Sequence, residues 1–578
     1  MKRYILLVSA LSVIILMWSC KAKIKGYDNL KPGENIRLNQ LGYLPGEVKR
    51  VVVVNSGSSD FKIVDTTGNP VFSGKLDDRG VWDLSKERVK IADFSTFDKT
   101  GTYSVYVEDL GISYPFEISS NIYDDVFRAS LKAFYIQRMS TPIEEKYAGK
   151  FSRAPGHPDM DCKFYPSSGR RGGSMPSPGG WYDAGDYNKY IVNAGYTVSM
   201  LLSLYENFPD AARDDMNIPE SGNNISDLLD EIKWELDWAE TMQDKDGGIF
   251  FKLTSKRFSA FIKPHEDTLA RYVVGKSTSS ALNFAAIFSQ ASRVWKETDS
   301  GLSERYLASA KRAWDWAIRN PSVVYRNPPD ISTGAYSHRD FTGDFFWAAA
   351  ELFVTTGEQV YKKYLESNPV DFTFVSGENW WTYLKNMGYY ALILPGSKLE
   401  ASEKELYTKA ILADADRLID DLEECPYRQP LSSFVWGSNS DILDLAIIFA
   451  NALRISGEKK YLDAAIETTD YIFGKNATGY SFVTGYGSKP VMNPHFRLAA
   501  SDDIPEPIPG WVAGGPNANL NDEKSDFNPN GVTYSSREPA QCYMDLTESY
   551  ASNEIAINWN APLAYITGFL ASYSAKTR

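Results

Sequence analysis

Two acidic segments stand out by residue type and spacing. In Gly180-Trp-Tyr-Asp-Ala-Gly-Asp-Tyr187, Asp183 and Asp186 stand three residues apart around Ala-Gly, flanked by Trp181, Tyr182 and Tyr187. In Tyr550-Ala-Ser-Asn-Glu-Ile-Ala-Ile-Asn-Trp-Asn-Ala561, Glu554 lies among small and aromatic residues. Sugar rings stack on aromatic faces, and small residues let a ligand approach the backbone. A carboxylic acid facing one or two carboxylates across a cleft is the minimal equipment for cleaving a glycosidic bond, so the pairing implies a polysaccharide hydrolase. A lone Asp here would be read as a turn cap; two of them among three aromatics argue for chemistry. The pair is expected to open a helix over 188–207, whose N-terminal amides would favour ionised carboxylates, the state a general base needs.

The elements that must hold these groups divide the chain in two. Its 578 residues exceed one ordinary core, and 43% hydrophobic with 23% charged residues describes a folded protein. The net charge of −13 argues against a nucleic-acid partner. Lys2-Arg3, an apolar run from Tyr4 to Trp18, and Ser19-Cys20 describe an export signal too short to span a bilayer. A small residue directly before Cys20 resembles a bacterial lipoprotein signal. Residues 1–20 are therefore expected to be a signal peptide with Cys20 lipidated, and 21–34 a tether, so that membrane contact runs only through the lipid. Residues 35–119 carry short β-rich runs (Val51-Val-Val-Val54, Phe61-Lys-Ile-Val64, Thr102-Tyr-Ser-Val-Tyr-Val107) punctuated by glycine turns, the pattern of an immunoglobulin-like β-sandwich.

From 120 to 578 the periodicity is helical. Twelve helices are expected: 123–140, 188–207, 225–243, 276–297, 302–319, 344–356, 358–366, 402–424, 440–456, 458–474, 537–551 and 560–575. Helix 225–243 carries apolar residues on two faces, which suits a double-layered barrel. Six hairpins would make an (α/α)6 barrel. The intervening loops 141–187, 244–275, 320–343 and 475–536 are long and aromatic, as functional loops are. Cys162, Cys425 and Cys542 cannot all pair within the chain, so no disulfide framework is implied.

Several spaced segments resemble glycoside hydrolase family 9, the inverting endoglucanase family: Asn39-Gln-Leu-Gly-Tyr-Leu-Pro45, the aspartate segment, Asn217 to Trp238, Ser481 to Arg497, and Tyr543 to Ala561. The first resembles the opening of the immunoglobulin-like module that precedes many of these catalytic domains. The resemblance implies that Asp186 is the catalytic base, Asp183 the carboxylate that helps hold the attacking water, and Glu554 the general acid, with a raised pKa. It implies that His495 and Arg497 bond sugar hydroxyls, and that Asp545 is a substrate or supporting contact. Trp436, Trp559 and Tyr182 are the aromatic candidates for substrate binding.

The chain departs from the family at Asn558-Trp559, where many relatives read Asp-Tyr. It departs again at Gly343-Asp344, where relatives often hold calcium beside an acidic pair and one acid is missing here. No cofactor is expected to be required, a structural calcium is left open, and no zinc-type spacing occurs. The expected activity is hydrolysis of internal β-1,4-glucosidic bonds in cellulose-type glucan, xyloglucan or mixed-linkage glucan by a monomer at the cell envelope. The alternatives are an exo-acting glucosidase or glucosaminidase of the same family, or a non-catalytic glycan-binding surface lipoprotein.

Overall fold

The computed structural model describes residues 23–524 and 531–577. Cys20 and the expected signal segment 1–20 lie outside the described residues.

The first domain is a β-sandwich. Its strands follow the spatial order Ile36–Arg37, Arg50–Val54, Glu87–Asp93, Pro70–Trp82, Asp60–Asp65, Gly101–Val107, Phe116–Ile118 and Gly42–Tyr43. The long strand Pro70–Trp82 serves both sheets: its first half pairs with Asp60–Asp65 and its second with Glu87–Asp93. The run Val51–Val54 is buried on both faces because each face has a different neighbour. Val51 and Val53 enter the sandwich core with Ile63, Val105 and Phe116. Val52 and Val54 point the other way and join the core of the helical domain with Trp82 and Ile91.

The second domain is the (α/α)6 barrel. Its inner ring consists of Ile191–Asn207, Thr278–Trp295, Thr342–Thr356, Leu384–Leu392, Ser438–Ser456 and Ile557–Thr577. Thr278–Trp295 is buried nearly all round, its polar residues being mostly small serines and threonine that fit between neighbouring helices. The outer ring is Asp124–Gln137, Asp227–Thr241, Ser300–Arg319, Gln359–Ser367, Ala401–Glu424 and Lys459–Ile472.

The expected twelve and the observed twelve differ at two places. Residues 537–551 hold only the short 3-10 turn Pro539–Gln541 and the four-residue helix Tyr550–Asn553; the Ala551 amide goes to Asp522, and the Asp545 side chain reaches across to the amides of Met492 and Asn493. The helix Leu384–Leu392 was not anticipated. Its Gly388 disguises it, and that glycine is required, since a Cβ there would sit 2.8 Å from the Phe346 ring of the neighbouring inner helix. Helix Asp227–Thr241 belongs to the outer ring; its second apolar face is covered by loop 179–181, with Trp234 Nε1 donating to the Gly180 carbonyl.

One loop feature the periodicity did not announce positions the site. A small sheet, in the order Ser174–Met175, Cys162–Phe164, Tyr272–Val273, Lys252–Thr254 and Lys189–Tyr190, sits over one end of the barrel. It ends just after Asp186, so the aspartate loop leads into a strand, and the helix begins only at Ile191.

Candidate active site

The aspartate loop is held from beneath by the outer helix. Trp181 donates its backbone N–H to Glu235 Oε2 at 2.6 Å and its indole N–H to Glu231 Oε1 at 2.7 Å. Tyr182 is fully buried, ring-packed against Tyr187 at 4.7 Å and hydrogen-bonded to His157 Nδ1 at 3.0 Å. Tyr182 is therefore a support for the loop and cannot meet a sugar, contrary to the sequence expectation.

Asp183 is buried and takes two hydrogen bonds from Asn193 Nδ2, at 2.9 and 3.0 Å, and one from the Tyr336 hydroxyl at 3.3 Å. Asp186 accepts from Asn188 Nδ2 and from the Tyr190 hydroxyl at 3.2 Å. The donors are thus side chains, not the amides of a helix N-terminus. Burial, and then the neighbouring Asp186, pushes the Asp183 carboxyl well above its ordinary range. The expectation that helix amides hold both aspartates ionised is corrected: no helix N-terminus meets them, and burial works against the charged form of Asp183.

Three isolated bridges bring the third acid to this loop. Ala184 pairs with Ala556, His495 with Glu554, and Ala513 with Ile555. The Ile557 N–H donates to the Asp183 carbonyl at 2.9 Å, and Gly514 N–H to the Glu554 carbonyl at 2.8 Å. Gly185 explains the Ala-Gly spacing between the aspartates. A Cβ there would lie 2.3 Å from the His495 carbonyl oxygen and 3.1 Å from Glu554 Oε1. The Glu554 carboxyl therefore sits over the link between Asp183 and Asp186. Burial, reinforced by the charge of Asp186, pushes Glu554 up to about 8, so it holds a proton at neutral pH.

His495 donates from Nδ1 to the Thr547 carbonyl at 2.6 Å, since a carbonyl can only accept. Burial and the Arg497 charge push it down to about 3. The ring is neutral, and its Nε2, with no protein partner among the described residues, is an acceptor for a hydroxyl. Arg497 spends its donors mainly on the protein: Nη1 to the Gly185 carbonyl at 2.6 Å and Nε to the Ser259 carbonyl at 2.8 Å. Asp545 is a loop brace, accepting from the backbone of Met492 at 2.9 Å and Asn493 at 2.7 Å just ahead of His495.

Trp436 is 44% exposed and packs against Tyr550 at 5.3 Å, a ring presented outward near the acid. Trp559 is half-buried against the backbone of Gly437 and Gly514, where a Cβ would come within 3.0 and 3.1 Å of its ring. Asn188, Tyr190, Asn193 and Tyr336, which hold the two aspartates, had gone unassigned. Asn188, Tyr190 and Asn193 follow Asp186 within seven residues and could have been suspected. Tyr336 comes from a distant loop with an unusual backbone (φ +39°), a contact no local pattern reveals.

At the position where relatives hold calcium, Asp344 is buried, with one oxygen accepting from Asn283 Nδ2 and the other paired with His338 Nε2, both at 2.8 Å. Gly343 brings no carboxylate. Among the described residues no group of three or more His, Cys, Asp or Glu is arranged to hold a metal. These residues do not fit a calcium ion. Cys162, Cys425 and Cys542 are free thiols.

A double ring of helices carrying a proton-holding carboxyl over a pair of aspartates defines a glycoside hydrolase. The model of glycosyl hydrolase family 9 matches residues 123–567, and that of the cellulase N-terminal Ig-like domain matches residues 31–111. The chain belongs to glycosyl hydrolase family 9. It is 39% identical to the xyloglucan-specific endo-beta-1,4-glucanase of Bacteroides ovatus, over 94% of this chain and 95% of that one. It is 34% identical to a cellulose 1,4-beta-cellobiosidase of Acetivibrio thermocellus, over 95% and 68% respectively. A solved Bacteroides ovatus family 9 structure superposes with a TM-score of 0.86 at 37% identity, covering 94% of this chain and all of the other.

Proposed function

We propose that this enzyme hydrolyses internal β-1,4-glucosidic bonds of a β-glucan, with xyloglucan as the preferred substrate, by single displacement with inversion. Asp186 takes the proton of the attacking water, and Asp183 helps to hold that water. Glu554 donates its proton to the leaving oxygen. The observation that carries this reading is the charge arrangement across Gly185: a carboxyl held protonated near neutrality directly over an aspartate pair. Neutral His495 accepts a sugar hydroxyl at Nε2, Arg497 fixes the loop between the aspartates, and Trp436 and Trp559 offer ring faces. Xyloglucan is favoured by the similarity to the Bacteroides ovatus enzyme, which spans both domains. The reading includes export as a monomeric lipoprotein anchored through Cys20.

The test is product release from xyloglucan, barley β-glucan and carboxymethylcellulose, with product sizing, for the parent and for Glu554→Gln. The expected result is fastest release from xyloglucan, mid-length products early in the reaction, and near-total loss in the variant. Release of cellobiose alone from the start would replace the endo reading with an exo one. Equal activity in the variant would overturn the assignment of Glu554.

A further inference from the structure

Lys252 lies in the strand Lys252–Thr254, directly opposite Tyr190 in the antiparallel pair. Its side chain is buried, and its ammonium donates only to uncharged oxygens: Thr333 Oγ1 at 2.9 Å, Asn327 Oδ1 at 3.0 Å, and the carbonyls of Gly334 at 2.6 Å and Thr333 at 3.4 Å. It has no ion-pair partner among the described residues, although a buried ammonium ordinarily needs one. Burial pushes its ammonium down to about 7, and the charges of Asp186 and then Asp183 oppose that effect.

Two neutral routes connect it to them. Nζ lies 5.3 Å from the centre of the Tyr190 ring, and the Tyr190 hydroxyl donates to Asp186. The Gly334 carbonyl it binds is two residues from Tyr336, whose hydroxyl donates to Asp183 from a backbone held at φ +39°. The geometry points to Lys252 as a positioning residue for the reaction: it places positive charge beneath the aspartate pair and pins the turn that presents Tyr336 to Asp183. This rests on the assignment of Asp186 as base.

The other groups around the pair are otherwise engaged. Glu554 faces it across Gly185. Arg497 is bound to the Gly185 and Ser259 carbonyls. Arg271 pairs with Asp159 and reaches only the Asn188 side chain and the Tyr187 carbonyl. The tyrosines at hand are Tyr190, Tyr336 and, over Lys252, Tyr325 at 5.5 Å. Among the described residues Lys252, like Arg497, has no carboxylate partner of its own, and it is the one that contacts the Tyr190 ring and the Thr333-Gly334 turn.

The test is the pH dependence of kcat/KM on a soluble β-glucan for Lys252→Met, Lys252→Arg and Asn327→Asp, with circular dichroism to verify folding. An ammonium favours nearby carboxylates, so its removal makes the base harder to ionise, and the acidic limb moves to higher pH. The expected result for Lys252→Met is a limb about one pH unit higher and a roughly tenfold lower kcat. Lys252→Arg should restore the limb. Asn327→Asp keeps the lysine but sets a carboxylate against it, and should move the limb the same way even where Lys252→Met does not fold. An unmoved limb in Asn327→Asp overturns the proposal. Asp186→Asn separates this from the reading beneath it: if that variant stays active, the base assignment fails; if it is inactive while the limb is unmoved, only the role of Lys252 fails.

Discussion

The domain interface and the catalytic cleft both bury carboxylates, and they treat them in opposite ways. At the interface Glu467 is fully buried, yet Arg50 from the sandwich and Arg428 from the barrel both bind it, with Lys475 at 3.8 Å. Those cations outweigh burial and hold it below its ordinary range. In the cleft Asp183 and Glu554 form no such ion pair among the described residues, and the Arg497 charge offsets the burial of Glu554 only in part. Their neighbours are Asn193, Tyr336 and a like-charged Asp186, and both are pushed up. A carboxylate that holds two domains together is saturated with opposite charge. One that must carry a proton into a reaction is left under-compensated, and the fold bears the strain. Arg37 and Glu87, paired at 2.7 Å beside Tyr427, follow the first pattern, whereas Asp470, which accepts from Asn39 at 2.8 Å, is pushed up to about 7 by burial.

That contrast is broken most severely at the acids themselves. Asp186→Asn and Glu554→Gln should each lower kcat by about 10³-fold on a polysaccharide. Measured with a dinitrophenyl β-glucoside, whose leaving group needs no proton, Glu554→Gln should recover most of its activity and Asp186→Asn should not. If both recover alike, the division into acid and base is wrong.

Glu467→Ala comes next, because it takes the shared anion from two part-buried arginines and the buried Lys475. It should lower unfolding stability by about 3–5 kcal/mol in denaturant titrations, while the folded enzyme turns over at nearly the parental rate. A large loss of kcat at full folding would show that the interface does more than support.

A smaller effect has the opposite sign. Because the folded pKa of Glu554 is raised to about 8, the native state binds a proton that the unfolded chain releases above its ordinary value near 4.5. Glu554 therefore lowers stability increasingly as pH rises from about 4.5 to about 8. Glu554→Gln should be more stable than the parent at pH 8 and equal to it at pH 4. The same titration sets the activity limit: kcat should fall as pH rises through about 8. Stability loss in Glu554→Gln at pH 8 would contradict the under-compensated cleft. The mildest change is Trp436→Ala, which should raise KM about fivefold with kcat nearly unchanged, as the loss of about 1 kcal/mol of ring contact would.

Local patterns carried much of this arrangement. The strand Val51–Val54, most of the apolar inner helices and the spacing Asp183-Ala-Gly-Asp186 were legible in the chain, and Gly185 turns out to be the residue over which the acid closes. What was illegible depends on contacts between distant loops. Nothing local distinguishes the buried Tyr182, wedged between His157 and Tyr187, from the exposed Trp436. Tyr336 and Lys252 belong to no motif and gain meaning only when their loop and strand fold beneath the aspartates. Residues 537–551 look helical by apolar spacing, but the segment is tied to distant loops, Ala551 through Asp522 and Asp545 through the amides of Met492 and Asn493.

The assignment of a water-activating Asp186 opposite a proton-donating Glu554 is tested most directly by the anomeric state of the first product. Proton NMR of a β-glucan digest in its first minutes, before mutarotation, should show the α-anomer at the new reducing end, because water attacks the face opposite the leaving group. An initial β-anomer would contradict that assignment.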